Sequence, residues 1–179
     1  MREPTIARNY AQALFEAGER SGETERFAGL MEAVAGAIEA DERIRVALDS
    51  PRVPKTVKQR ILGQALSRRA PEGFIRFLGA VVRRGRQGIV SAINHEYHAL
   101  LDIKLNRAHA GVILARKPDK RLLDAIQRGL SAATAKEVIP HLREDPRILG
   151  GIVVRIGDRV MDGSLRRKMV QLRKQMLGA

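Results

Sequence analysis

The residues that could carry acid–base or metal chemistry are few in this sequence. The chain has 179 residues with four histidines and no cysteine, which excludes thiolate metal sites, disulfides and cysteine nucleophiles. His95 and His98 are three residues apart in a helical pattern and could share a metal, but the nearby carboxylate of Glu96 projects from a different face. We therefore predict structural histidines and no metal site.

Motifs for nucleophilic or phosphate chemistry are also missing. The sequence contains no G-x-S-x-G, no P-loop and no dinucleotide-binding glycine pattern. Ser164 follows Asp162 and Gly163, but no base is spaced to activate it, and the pattern favours a turn that caps a helix. We predict no catalytic residue and no cofactor, with a hydrolase that uses Ser164 as a third, minor hypothesis.

A glycine loop raises the question of nucleic acid binding. Gly85-Arg-Gln-Gly88 matches the GXXG loop of KH domains and has further arginines beside it. A KH loop lies in an α/β fold, whereas this one joins two helical patterns, where a helix-ending glycine explains the same residues. The chain has only four Phe, two Tyr and no Trp for base stacking. A basic RNA-binding or ribosome-associated assembly factor is kept as the alternative function.

Charge is distributed unevenly along the chain. The formal net charge is +13, but residues 1–49 hold 6 Lys/Arg against 10 Asp/Glu, whereas residues 50–179 hold 27 against 10. The basic residues are scattered rather than clustered in a run. An acidic first quarter is not expected of a protein that only coats phosphates, so both a solvated basic face and an acidic partner are compatible with this pattern.

Apolar residues at helical spacing dominate the first 105 residues or so. The first stripe is Ile6, Tyr10, Leu14 and Ala17, and five more follow, separated by proline and glycine breaks. The sixth helix is predicted over residues 87–107. Six short-linked helices that are each apolar on one side predict a compact bundle.

The remaining sequence alternates between strand and helix signals. A buried strand is predicted over Ala110–Ala115, and a second one over Val138–Leu142, whose proline confines it to a sheet edge. Residues 152–161 have the form of a β-hairpin with a two-residue turn, and a helix starting near Asp119 lies between the strands. No apolar run is long enough to span a membrane. The sequence predicts a mainly α protein, with a six-helix bundle over residues 1–106 and a small α+β domain over residues 107–179.

A basic amphipathic helix is predicted at the end of the chain, with Asp162 as its cap. Leu165, Met169, Leu172 and Met176 are spaced to form one apolar seam. The flanking basic residues are Arg166, Arg167, Lys168, Arg173 and Lys174. This pattern suits packing on the sheet or binding of a partner helix, and it suits a membrane surface less because the seam has no Trp or Phe.

The segment from Asp145 to Arg166, DPRILGGIVVRIGDRVMDGSLR, closely resembles the C-terminal signature of one family. This family is the delta subunit of F-type ATP synthase, called the oligomycin-sensitivity-conferring protein in mitochondria. Ile6–Phe15 resembles its first helix, and Ser50–Pro54 and residues 77–86 match its middle. The resemblance covers nearly the whole chain in the right order.

The resemblance implies a non-catalytic stator connector. One copy in a hetero-oligomeric complex would link the alpha/beta catalytic head to the peripheral stalk of b subunits, so that rotor torque is coupled to ATP synthesis with proton transport. It implies no cofactor, no nucleic acid and no membrane span of its own. The expected location is the cytoplasmic face of the bacterial plasma membrane, with attachment through the complex.

The resemblance also implies two binding surfaces. A groove between the first and fifth helices would take the N-terminal helix of an alpha subunit, although each apolar side chain on those stripes could equally face the bundle core. The residues mapped to this groove are Tyr10, Leu14, Phe74, Ile75 and Leu78. The C-terminal domain would bind the C-terminal ends of the b subunits. The residues mapped to that surface are Leu165, Arg166, Met169, Leu172 and Arg173.

Overall fold

The computed structural model describes residues 3–176, and the chain divides into two compact units. The first unit extends to Lys104 and the second begins at Leu105, two residues before the boundary expected from the sequence.

Six α-helices form the first unit, as the apolar stripes predict. They are α1 (Glu3–Ser21), α2 (Thr24–Ala40), α3 (Glu42–Asp49), α4 (Lys55–Leu66), α5 (Glu72–Arg83) and α6 (Val90–Lys104). The sixth helix is shorter than predicted, because a 3-10 turn occupies residues 87–89 and the helix ends at Lys104. Asn106 adopts a left-handed conformation with φ of 51°, and Arg107 already begins a strand. A helix over residues 87–107 is therefore wrong at both ends.

Tyr97 occupies the centre of the first unit's core. Its side chain is fully buried, its ring meets Phe15 edge-on at 5.6 Å, and its hydroxyl donates a hydrogen bond of 2.9 Å to the Thr24 carbonyl. Burial raises the pKa of this phenol far above its ordinary value, and the nearby Glu19 carboxylate raises it further. A Cβ at Gly18 would lie only 3.1 Å from the hydroxyl, so glycine lets α1 approach the ring. The neutral phenol of Tyr97 therefore connects α6 to the start of α2 through this hydrogen bond.

The buried face of α1 is rotated relative to the predicted stripe. Ala7, Ala11, Leu14 and Phe15 are buried, so the helix packs mainly through small residues. Of the predicted stripe, only Leu14 is buried; Ile6 and Tyr10 are half-buried and Ala17 is exposed. Alanines at successive turns allow close helix–helix approach, which pushes the larger Ile6 and Tyr10 to one flank of the contact. The flank formed by Ile6, Tyr10, Ala13 and Ala17 is called the α1 flank below.

The second unit is a four-stranded sheet with two helices. Its elements are β1 (Arg107–Leu114), α7 (Lys120–Thr134), β2 (Glu137–Glu144), β3 (Ile152–Ile156), β4 (Arg159–Asp162) and α8 (Leu165–Met176). The strand order is β2-β1-β3-β4, with β1 and β2 parallel and the other pairs antiparallel. The proline in β2 therefore lies in an edge strand, as predicted. Buried Ala110, Val112 and Leu114 of β1 share one core with Ile126 and Leu130 of α7.

The segment between β2 and α8 builds two loops that close on each other. Asp145 accepts hydrogen bonds from the Arg147 backbone N–H (3.0 Å) and guanidinium (2.9 and 2.8 Å). These bonds lower the pKa of the Asp145 carboxyl to about 2. Gly151 has φ of 79°, and a Cβ there would lie 2.4 Å from the Gly163 carbonyl oxygen. The Leu165 N–H, at the start of α8, donates to the Gly150 carbonyl at 2.9 Å.

Ser164, and not Asp162, caps α8. Its hydroxyl accepts from the Arg167 N–H at 3.2 Å, which is the N-cap to N3 pattern. Asp162 accepts from the Ser164 N–H at 2.9 Å and so forms the turn before the cap. The hydrogen bonds from Ser164 lower the pKa of the Asp162 carboxyl. The Ser164 residue is buried at the base of the helix, so the capping interpretation of the sequence was correct and only the capping residue was wrong.

We predict that Gly151→Ala destabilises the second unit by about 3 kcal/mol, because it adds a steric clash to an unfavourable positive φ. Gly157→Ala is the matched control: its φ is 56° and no atom lies within 4 Å of a Cβ there, so only the backbone cost of about 1 kcal/mol remains. Hydrogen exchange of β1 and β3 amides in the full chain measures both values. Equal losses for the two variants would contradict the close approach of the two loops.

Candidate partner-binding surfaces

Helices α1 and α5, between which the resemblance implies a groove, meet through aromatic side chains in the first unit. The rings of Tyr10 and Phe77 are 6.3 Å apart in an edge-to-face arrangement, and both side chains are half-buried. Three residues mapped to this groove from the sequence are instead in the core. Leu14 and Phe74 are fully buried and Leu78 is 2% exposed. These three are corrected from groove residues to core residues, because they lie on the sides of α1 and α5 that face the bundle.

Ile75 is also misplaced by the sequence interpretation. Its Cγ2 lies 4.0 Å from the Cβ position of Gly63, so it faces α4 and not α1. Phe77 lies on the opposite side of α5 and contacts α1. Of the mapped residues, Tyr10 is the one at the contact between α1 and α5, and Phe77, which was not mapped, is its partner there. A helical wheel could have found it, because positions 74, 78, 81 and 82 define a face that leaves Phe77 on its flank.

An apolar depression lies between α2, α3 and α4. Its volume is about 530 Å³. The apolar side chains that line it include Leu30, Val34, Ile38, Ile44, Ile61, Leu62 and Leu66. Two of these, Ile44 and Ile61, are exposed to 38% and 57%. A compact bundle is expected to cover the apolar stripes of its helices; here the side chains stay partly open because the three helices do not close over them.

Lys58 holds one wall of this depression in place. Its side chain is buried, and its Nζ donates to the carbonyl oxygens of Leu48 and, at 2.8 Å, Ser50. These carbonyls belong to the end of α3, where the backbone has no further helical partners. A cation at a helix C-terminus is also favoured by the helix dipole. Lys58 therefore fixes the end of α3 against α4, whereas its apolar stem lines the depression.

The outer surface of α8 is an exposed apolar seam edged by cations. Leu165, Met169 and Leu172 are 47%, 60% and 57% exposed. Arg166 and Arg173, which flank the seam, are exposed as well. The helix contains no acidic residue and none of its residues is buried. All five residues mapped to this surface from the sequence are thus accessible, which makes α8 suited to an acidic amphipathic partner helix.

Ser164 and the Gly85–Gly88 loop, which the sequence raises as possible functional features, have structural roles. Ser164 is buried and its hydroxyl is used by the α8 cap. No group of three or more His, Asp or Glu side chains in this range is arranged to hold a metal ion. Gly85 has φ of 66° and terminates α5, so the GXXG match is a helix-ending turn. None of the helices within the described residues has the length and apolar character needed to cross a membrane.

Comparison with known proteins decides the family. The family model described as "ATP synthase delta (OSCP) subunit" matches residues 6–176. The chain belongs to this family. The protein named ATP synthase subunit delta from Gemmatimonas aurantiaca is 42% identical over 174 residues, which cover 97% of this chain and 94% of that protein. The protein of the same name from Desulfotalea psychrophila is 31% identical and covers 99% of each chain.

A solved structure supports the fold. A chain in the cryo-EM structure of the Toxoplasma gondii mitochondrial ATP synthase hexamer aligns with a TM-score of 0.70 at 19% identity, over 96% of this chain and 97% of that chain. The helical bundle followed by an α+β unit is therefore a fold that this chain shares with a chain of a solved ATP synthase. The resemblance based on the Asp145–Arg166 segment is confirmed.

We predict that Lys58→Met destabilises the first unit by about 1–3 kcal/mol, because it removes the buried ammonium that donates to two carbonyls at the end of α3. Lys55→Met is the control, since the exposed Lys55 Nζ donates to a single carbonyl, that of Arg83, at 3.0 Å and should cost less than about 1 kcal/mol. Hydrogen exchange of core amides of α5 gives both values. A neutral or stabilising Lys58→Met would mean that burying the ammonium costs more than its two hydrogen bonds return.

Proposed function

We propose that this chain is the stator connector of an F-type ATP synthase. In this role its first unit binds the alpha/beta catalytic head and its second unit binds the peripheral stalk of b subunits, so that the head stays fixed while the rotor turns. The chain itself performs no chemistry in this proposal. It would act as one copy in the complex, peripheral to the cytoplasmic face of a bacterial plasma membrane. The observation that carries the proposal is that each unit of a delta-family chain presents an accessible apolar surface.

The head-binding surface is proposed to be the groove between α1 and α5. The α1 flank is apolar at each turn from Ile6 to Ala17, and Phe77 lies beside it. An amphipathic helix, such as the one at the N-terminus of an alpha subunit, needs apolar contacts at successive turns. The exposed alanines of the flank leave room for such a helix to approach closely. The depression between α2, α3 and α4 is the competing location for the same kind of partner.

The stalk-binding surface is proposed to be α8. Its seam repeats at intervals of 4, 3 and 4 residues, from Leu165 to Met176, which is the spacing by which one helix packs along another. Its basic edges favour the acidic side chains of a partner helix and accelerate capture. The C-terminal ends of the b subunits are the partner proposed for this seam. The apolar contact resists dissociation, and the charges select and orient the partner.

We predict that Ala13→Glu weakens binding of a synthetic peptide, the N-terminal helix of an alpha subunit, by at least about tenfold, because it places a charge in the apolar groove. Gln12→Glu is the matched control: it introduces the same charge on the other side of α1, at an exposed position. Isothermal titration calorimetry on the full chain measures both. Unchanged affinity in Ala13→Glu together with a loss in Ile61→Glu would place the helix in the depression between α2, α3 and α4.

For the stalk, we predict that Met169→Glu weakens binding of a peptide from the C-terminal end of a b subunit by at least about tenfold, whereas Gln171→Glu changes it less than about threefold. Both side chains are on α8 and exposed, so neither substitution disturbs a core. Surface plasmon resonance with the immobilised full chain gives affinity and rates. Wild-type affinity in Met169→Glu would move the stalk site away from the α8 seam and leave the head site untouched.

A further inference from the structure

Two histidines on the sheet of the second unit share a hydrogen bond. The Nδ1 atom of His109, in β1, lies 2.7 Å from the Nε2 atom of His141, in β2. Their ring centroids are 4.9 Å apart and the ring planes are inclined by 28°. This centroid distance is close to the nitrogen–nitrogen distance plus the two ring radii, so the rings lie end to end and not face to face. The two imidazole nitrogens therefore point at each other.

The pair sits on the face of the sheet that α7 does not cover. Residues 109 and 141 alternate with the buried positions 110, 112 and 138, and both imidazoles are exposed. In the parallel register His141 lies beside Gly111, whose missing side chain leaves the neighbourhood of the pair open. Arg155 is paired with Gly111 on the other side, in β3. Solvent thus reaches both rings, and the residue that continues the row beyond Gly111 is a cation rather than a carboxylate.

We propose that His109 and His141 form a two-ligand site for a borderline divalent cation such as Zn²⁺ or Ni²⁺. Zinc–imidazole bonds are about 2.0–2.1 Å long, so two nitrogens bound to one tetrahedral ion are about 3.3 Å apart. The observed 2.7 Å separation is within about an ångström of that value, and exposed histidine rings can tilt by this amount. On binding, the two rings turn so that both nitrogens face the ion instead of each other, and water completes its coordination.

The chemistry of the site selects the class of ion. Imidazole nitrogen suits zinc, copper and nickel, whereas calcium and magnesium require oxygen ligands. Glu137, the acidic residue on the same face of β2, is held by Arg107 at 2.7 Å. The positive charge of Arg155 repels cations, so a cation that is attracted by electrostatics alone is disfavoured at this site. The pair therefore binds through coordinate bonds to nitrogen and rejects hard cations.

Binding would have a structural consequence for the edge of the sheet. β2 is the outermost strand and joins the sheet only through β1. An ion held by His109 and His141 connects these two strands through their side chains, in addition to the backbone ladder. Hydrogen exchange at the edge strand should then slow when the ion is bound.

The test is calorimetric titration of Zn²⁺ into the full chain near neutral pH. We expect one-to-one binding. His141→Gln and His109→Gln should each weaken binding by more than about tenfold. Excess Mg²⁺ or Ca²⁺ should not compete. Side-chain ¹⁵N spectra should show zinc-induced shifts at these two histidines.

His95→Gln/His98→Gln is the matched control, because it removes the same number of imidazoles from α6 and should leave zinc binding unchanged. Three results would overturn the proposal. These are no heat of binding up to about 1 mM Zn²⁺, wild-type affinity in His141→Gln, or loss of binding in the α6 double variant. None of them bears on whether α8 or the α1 flank binds a partner, so the metal site and the connector role fail separately.

Discussion

The packed core of the first unit must supply enough stability for other apolar side chains of the bundle to remain exposed to solvent. In the first unit, Tyr97, Phe27 and Phe74 fill the centre, and small residues let α1 pack closely against it. That core stabilises a bundle whose α2, α3 and α4 leave isoleucines and leucines uncovered. Each of these partly exposed side chains forgoes a part of the about 1.5–3 kcal/mol that full burial would supply. A partner helix recovers this free energy, which is what makes such a surface adhesive.

In the second unit, a local contact between two loops, and not a large core, holds the exposed helix α8 in position. Its buried cluster is small, and α8 adds nothing to it. What positions α8 is the contact between two loops, where Gly151 passes against the Gly163 carbonyl and the Gly150 carbonyl accepts from the Leu165 N–H. The Asp145–Arg166 segment, which carries the resemblance to the family, therefore also fixes the N-terminal end of α8 and leaves the apolar seam of that helix exposed.

The sequence predicts the elements of this fold well and the accessible residues less well. Proline and glycine breaks, the proline in β2 and the hairpin at residues 152–161 define element type and order, because these signals act over a few residues. Whether Leu14 or Tyr10 faces the core depends on which neighbour a helix packs against, and this is a tertiary property. The same stripe of α1 was compatible with both orientations until the Tyr10–Phe77 contact fixed its rotation.

The two proposed attachments should differ in how they respond to salt, because their surfaces have different chemistry. The α1 flank consists of apolar side chains, so a helix bound there is held by burial, which added salt does not screen. The α8 seam is edged by cations and has no acidic residue, so capture of an acidic helix is accelerated at low ionic strength. Once the helix lies on Met169 and Leu172, burial governs its release. A connector with these two surfaces would combine salt-independent apolar binding at the first unit with fast, charge-dependent association at the second.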